Sequence, residues 1–227
     1  MTVTWLGQAG LLFESEGRRI IVDPYLSDSI AKVNPLNQRR VPVDPRFLEI
    51  EPDFLIFTHD HLDHYDPESA EVYLGRSKKK ITVLSPSSVW QKARQNQNGH
   101  NYVLFDKGVE WTDGNLRFTA VPACHSDPTP IGVIITDLAE GKHYYVTGDT
   151  LYRKDIPQSL PVKPDVIFLP INGAGNNMNA VDAARFAKET GAEIAVPLHV
   201  GLFDDIDPTI FQHPGRVIPE FYQIIEI

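Results

Sequence analysis

The chain has 227 residues, 30 acidic against 21 basic for a formal net charge of −9, with 42% hydrophobic and 22% charged side chains. This composition excludes a disordered chain and supplies a large core, and the acidic balance argues against nucleic acid as a partner. A single cysteine, Cys124, excludes an intramolecular disulfide and fits a reducing cytoplasm.

The opening MTVTWLGQAG lacks a basic stretch before an apolar run, so no secretory leader is expected. Apolar runs such as 54–57 fall far short of the ~20 residues a membrane-spanning helix needs. The expectation is one soluble domain over 1–227, with a small-molecule partner, no membrane association and room for a homo-oligomer.

Apolar stretches at 3–6, 11–13 and 20–22, with a turn at Glu16-Gly17, predict a β-meander. No period is sustained from 25 to 44, where Asn34, Pro35, Asn37, Pro42 and the pair Arg39-Arg40 predict a long loop. The run Phe54-Leu55-Ile56-Phe57 predicts a strand buried on both faces, and 81–84 predicts another. Serines at the start of 87–95 predict a capped short helix. Two hairpins follow, one turning at Asp113-Gly114 between 109–111 and 116–121, the other bringing 133–136 back through 139–142 to 144–147. Asn179 and Asp182 take the N-cap and N3 places of a helix that Gly191 stops, and 194–197 forms a last strand.

An internal echo bears on architecture. Pro52-Asp53 leads an apolar strand into a histidine cluster, and Pro164-Asp165 leads a second, VIFLP, into Ile171-Asn172-Gly173. Each follows a strand ending in aspartate, IIVDP at 20–24 and YYVTGDT at 144–150, which points to two similar β-rich halves.

The densest chemical signal is Thr58-His59-Asp60-His61-Leu62-Asp63-His64, directly after a buried strand. Imidazole nitrogen and carboxylate oxygen are the donors that divalent metals take at ~2.0–2.2 Å, and a strand end can aim several of them inward. His125, Asp149 and His199 follow later strands and complete a candidate set.

With these residues in view, the chain resembles the metallo-β-lactamase superfamily, whose pattern is His-x-His-x-Asp-His followed by a histidine, an aspartate and a histidine at successive strand ends. WLGQAG and VDPYLSDS extend the likeness over nearly the whole chain and look most like the branch that includes ascorbate-6-phosphate lactonase. The resemblance implies an α/β fold, a four-layer αββα sandwich with the site at one edge. It also implies that His59, His61 and His125 hold one metal, that Asp63, His64 and His199 hold a second, and that Asp149 bridges them. Gln8 departs from the many relatives with histidine at that place and is left outside the metal shell.

The expected cofactors are two divalent ions, zinc or manganese before iron. Such a pair would lower the pKa of a shared water from ~15.7 towards ~7, with Asp63 as the catalytic residue that orients it. The expected reaction is hydrolysis of an ester, lactone or phosphodiester in a small metabolite, with the resemblance favouring an anionic one. The alternatives are a nuclease or an iron-dependent oxidoreductase on the same fold; net charge counts against the first and a complete binuclear set against the single-iron form of the second. Asn172 and Asn176, in INGAGNNMN, and Arg39 and Arg40 are candidate substrate contacts, the arginines as bidentate phosphate ligands. Cys124 is expected to face away from the metals, and His100, His143 and His213 are expected at the surface.

Overall fold

A computed structural model describes residues 1–95 and 98–227. One sheet runs β1 (Thr2–Gly7), β2 (Gly10–Ser15), β3 (Arg18–Val22), β4 (Phe54–Ile56), β5 (Thr82–Ser85) and β6 (Asn101–Leu104), neighbours in that order. Its first three strands are antiparallel and the pairs from β3 to β6 are parallel. A second sheet runs β7 (Glu110–Asp113), β8 (Leu116–Pro122), β9 (Ile131–Asp137), β10 (Lys142–Val146), β11 (Val166–Pro170) and β12 (Ile194–Leu198), again in chain order. Here β7 to β10 are antiparallel and β10 to β12 parallel.

Side-chain alternation along the strands generates the layers. Leu11, Phe13, Ile20, Val22, Phe54 and Ile56 of the first sheet share one buried cluster with Phe118, Val133, Ile135, Val146, Val166 and Phe168 of the second. The sheets therefore pack face to face, with Phe54 and Phe118 ring centroids 4.7 Å apart. The intervening residues point the other way: Leu12, Ile21, Leu55 and Phe57 pack with Ala70, Tyr73, Leu74, Val89 and Ala93. On the far side Ile134, Tyr145, Ile167 and Leu169 pack with Ile156, Ala183, Phe186 and Ala187. Those partners lie on or beside the helices α2 (Pro67–Ala70) and α3 (Ser87–Ala93) on one face, and α4 (Asp155–Gln158) and α5 (Ala180–Thr190) on the other. The architecture is an αββα sandwich, and the two-halves echo corresponds to the two sheets.

Several elements differ from the sequence-based expectations. The segment read as a loop from 25 to 44 contains α1 (Ser29–Val33) and a 3-10 turn at Pro35–Asn37, and a second 3-10 turn, Pro45–Glu49, follows it. These turns are too short to show a period and are set locally, by Asn34 accepting from the Leu36 N–H and Asp44 from the Arg46 N–H. The serines do not cap α3. Pro86 holds the N-cap position, and Asp106 accepts from the backbone N–H of Ser87 at 2.8 Å and from its hydroxyl at 2.5 Å. His100 is buried, its Nδ1 accepting from the Ile81 N–H and its Nε2 donating to the Leu74 carbonyl. α5 matches expectation, with the Asn179 side chain accepting from the N–H groups of Val181 and Asp182 and Gly191 in the left-handed region at φ 76°. No helix among the described residues is long and apolar enough to cross a membrane.

Candidate metal centre

Four strands deliver the candidate residues at one edge of the sandwich. His59, His61, Asp63 and His64 follow β4, His125 follows β8, Asp149 follows β10 and His199 follows β12. Because β9 runs against both β8 and β10, and β12 runs with β10 through β11, the last three emerge on the same side of their sheet. The sheets are joined here by the Ile131 N–H donating to the Thr58 carbonyl at 3.0 Å. Gly148 permits the approach: a Cβ there would lie 2.8 Å from the Ile131 carbonyl oxygen and 2.9 Å from Thr58 Cβ. Lacking it, β10 closes on the end of β4 and Asp149 reaches the histidines.

Three groups of donor atoms converge: His59 with His61 and His125, Asp63 with His64 and His199, and His59 with His64 and Asp149, the atoms of each group within 4.8 Å of one another. Two donors bound at ~2.1 Å to a tetrahedral ion sit about 3.4 Å apart. The observed spacings fall just short of that value: His125 Nε2 to His61 Nδ1 3.0 Å, His199 Nε2 to Asp63 Oδ2 3.1 Å, His64 Nε2 to Asp149 Oδ1 3.2 Å, and His199 Nε2 to Asp149 Oδ2 3.3 Å. Asp149 Oδ2 also lies 3.7 Å from His125 Nε2, so this carboxylate adjoins both triads. The buried Nε2 of His59 has no hydrogen-bond partner among the described residues. An orphaned buried polar atom costs about 1–3 kcal/mol, and a divalent cation held with His61 and His125 would satisfy it. The donor set fits a metal pair.

Residues outside the expected metal-ligand set hold these donors in place. Asp23 ends β3 with no exposure; it accepts from the Thr58 N–H at 2.8 Å, from the Thr58 hydroxyl at 2.5 Å and from His64 Nδ1 at 2.8 Å. That fixes the His64 tautomer with Nε2 turned to the centre. The Asn176 carbonyl accepts from His125 Nδ1 at 3.2 Å, and Asn177 donates to Asp149 Oδ2 at 2.8 Å. Gln8, 55 residues away in sequence, donates to Asp63 Oδ2 at 2.9 Å. Asp23 had a signal in the echo, which aligns it with Asp149; Gln8 and Asn177 had none beyond proximity to motifs.

Charge in the metal-free cluster is strongly redistributed. Burial opposes a charged His199, but Asp149 and Asp63 outweigh it and push its pKa up to about 10. His64 is raised in the same way, burial again opposing and Asp149, Asp23 and Asp63 prevailing. Burial acts to raise Asp63 and Asp149, yet His64 and His199 hold both carboxyls below the usual range. His59 goes the other way: burial, then the neighbouring His64, keeps it neutral well below its ordinary value. His125 is lowered chiefly by burial.

A cleft of about 470 Å³ opens onto the centre, with Asn172, Asn176 and Asn177 on its wall together with Gln8, Ile30 and Phe203. Arg39 and Arg40 are not on that wall. Arg39 is committed elsewhere, donating to the carbonyls of Tyr25 and Val41 and to the Tyr222 hydroxyl, and Arg40 pairs with Asp205. Among the described residues no lysine or arginine lines the cleft, so the only basic side chains an anionic substrate would meet there are the imidazoles of the centre itself. Cys124 is half-buried and packs against the cluster beneath α5.

Residues 18–200 match the family model described as the beta-lactamase superfamily domain. The chain is 29% identical over 226 residues to a UPF0173 metal-dependent hydrolase of Methanopyrus kandleri, covering 93% of this chain and 90% of that one. Among solved structures it is similar to Igni18, a metallo hydrolase from Ignicoccus hospitalis, with TM-score 0.71, 24% identity and coverage of 92% and 88%. It is also similar to an isothiocyanate hydrolase from Delia radicum gut bacteria, with TM-score 0.76, 18% identity and coverage of 100% and 99%. At these identities the two structures speak to the fold alone.

Proposed function

The chain belongs to the beta-lactamase superfamily domain family, and from that premise we propose that it is a metal-dependent hydrolase working at the cluster after β4. His59, His61 and His125 would hold one divalent ion and Asp63, His64 and His199 the other, with Asp149 between them. The observation that carries this reading is the convergence of three buried or half-buried donor groups, within which His59 Nε2 has no hydrogen-bond partner among the described residues. Bound there, two divalent ions would supply a water that ionises near neutral pH and an electrophilic contact for the substrate's carbonyl or phosphoryl oxygen.

The protein's own groups do the rest. Asp63 is half-buried beside the cleft, and its carboxylate would orient the attacking water and take its proton. Asp23 keeps Nε2 of His64 turned inward, and Asn177 keeps Asp149 from rotating. The cleft volume suits a small metabolite, and ester, lactone and phosphodiester bonds all suit this chemistry. A wall lined by Asp63, Asp149 and Asp204 without lysine or arginine favours an ester or lactone over a phosphorylated substrate and disfavours nucleic acid, whose phosphates would need basic contacts. The likeness to the lactonase branch points the same way as to bond type.

The test is a zinc- or manganese-reconstituted screen against neutral and phosphorylated lactones, phosphodiesters and β-lactams, with Asp63→Ala as control. Turnover of a lactone or ester, lost in the variant, is the expected result. Full activity in Asp63→Ala overturns the assignment of Asp63, and one bound iron with oxygen consumption overturns hydrolysis altogether.

A further inference from the structure

Gln8 occupies a place that local backbone chemistry reserves for another residue. Gly7 pairs with Gly10 across β1 and β2, which leaves Gln8 and Ala9 as a two-residue hairpin turn. Gln8 has φ 50°, in the left-handed region where glycine, asparagine and aspartate are the residues usually found. Its backbone is nonetheless held firmly, its carbonyl accepting from the Trp5 indole N–H at 3.1 Å and from the His199 N–H at 3.1 Å. The side chain is 2% exposed. Where a sequence breaks a local rule under this much restraint, the side chain is the reason to look for.

That side chain reaches one half of the centre. Gln8 Nε2 lies 2.9 Å from Asp63 Oδ2 and 3.0 Å from His199 Nε2, two of the three donors in the Asp63, His64 and His199 group. Gln8 Nε2 lies 3.1 Å from His199 Nδ1 as well as 3.0 Å from Nε2, so it rests against the imidazole rather than donating to one lone pair, while Asp63 Oδ2 accepts from it and keeps lone pairs for a cation. The contact that survives loading is therefore the one to Asp63. The carboxamide adds no charge and cannot titrate, so it orients the carboxylate without competing for it as a lysine would. The other triad is steadied differently, through Thr58 beside His59 Nδ1 and the Asn176 carbonyl at His125 Nδ1.

Building on the metal-dependent reading above, we propose that Gln8 is a positioning residue for the Asp63, His64 and His199 half of the centre, and that it makes the two cations unequal in how firmly they are held. Removing its side chain weakens one cation at least tenfold, in the range found for groups that orient metal ligands, and leaves the other unchanged.

Gln8→Gly isolates the side chain, because glycine adopts φ 50° without strain. Zinc alone is the probe, withdrawn from the loaded full-length protein by a competing chromogenic chelator. Wild type is expected to release zinc in two steps, and Gln8→Gly to shift one step at least tenfold while its metal-free melting temperature is no lower than that of wild type. Gln8→Asn, which tolerates the backbone but is one methylene shorter, should behave like the glycine variant, and Gln8→His, which restores an N–H of similar reach, should recover part of the affinity. Unchanged steps in both Gln8→Gly and Gln8→Asn, or an equal shift of both steps, overturn the proposal and leave the metal-centre reading standing. Failure of the wild type itself to take up zinc overturns that reading, and this inference with it.

Discussion

Asp23→Asn offers the sharpest probe of how the centre is built. The carboxylate accepts three hydrogen bonds, from the Thr58 N–H, the Thr58 hydroxyl and His64 Nδ1. An asparagine that keeps its oxygen on the Thr58 N–H turns its NH2 toward the other two partners. The hydroxyl adapts by becoming an acceptor. The imidazole must either lose the contact or accept at Nδ1, which moves its proton to Nε2 and removes the lone pair a metal would use. Loss of an orienting partner of this kind weakens metal binding about 10- to 100-fold, or roughly 1.4 to 2.7 kcal/mol. The metal-free protein also loses a charge-assisted hydrogen bond worth about 1.5–3 kcal/mol. Chelator competition should therefore show weaker zinc retention, and activity at limiting zinc should fall and recover as zinc is raised. Retention and activity equal to wild type at limiting zinc would refute the role given to Asp23.

Further outcomes follow from the same geometry. In the metal-free protein the pKa of His199 stands at about 10 and that of His64 is raised as well; the folded state thus holds more protons than the unfolded chain above ~6.5. This stabilisation is complete below pH 6.5 and is lost as pH climbs to 10, so the melting temperature of chelated protein should fall across that window; a flat or rising profile contradicts it. Loading metal must displace these protons, so calorimetric titration at pH 7 in two buffers of different ionisation enthalpy should reveal proton release, with affinity falling as pH falls. Asn179→Ala removes the α5 cap and should cost about 1 kcal/mol, or roughly 2–4 °C in melting temperature, with turnover unchanged. Arg40→Ala breaks an exposed ion pair and should change stability by less than about 1 kcal/mol; a large loss of turnover would return Arg40 to the substrate site.

Much of the architecture was legible because it rests on side-chain period. The double-sided strand at 54–57 and the capped helix from Asn179 follow from patterns that need no partner. The donors were legible for a related reason: histidine and aspartate at strand ends are informative by residue type. What was hidden is relational. Arg39 reads as a phosphate ligand in sequence, yet its guanidinium is consumed by Tyr25, Val41 and Tyr222, partners from both ends of the chain. His100 reads as a surface residue because nothing nearby announces that the Ile81 N–H and the Leu74 carbonyl will claim both ring nitrogens. α2 did carry a local signal, Asp66 before Pro67, which the structure uses as N-cap and first-turn proline.

The division of the donors between the sheets has a mechanical consequence. His59, His61, Asp63 and His64 ride on one sheet, while His125, Asp149 and His199 ride on the other, so each cation held there would clamp two slabs that otherwise meet through side-chain packing and a few hydrogen bonds. Loading should stiffen the whole sandwich against shear. Stripping should leave the slabs able to slip, and amide exchange at the Ile131 and His199 N–H groups, which bond across the seam to the Thr58 and Gln8 carbonyls, would register the slip before any strand at the outer edges frays.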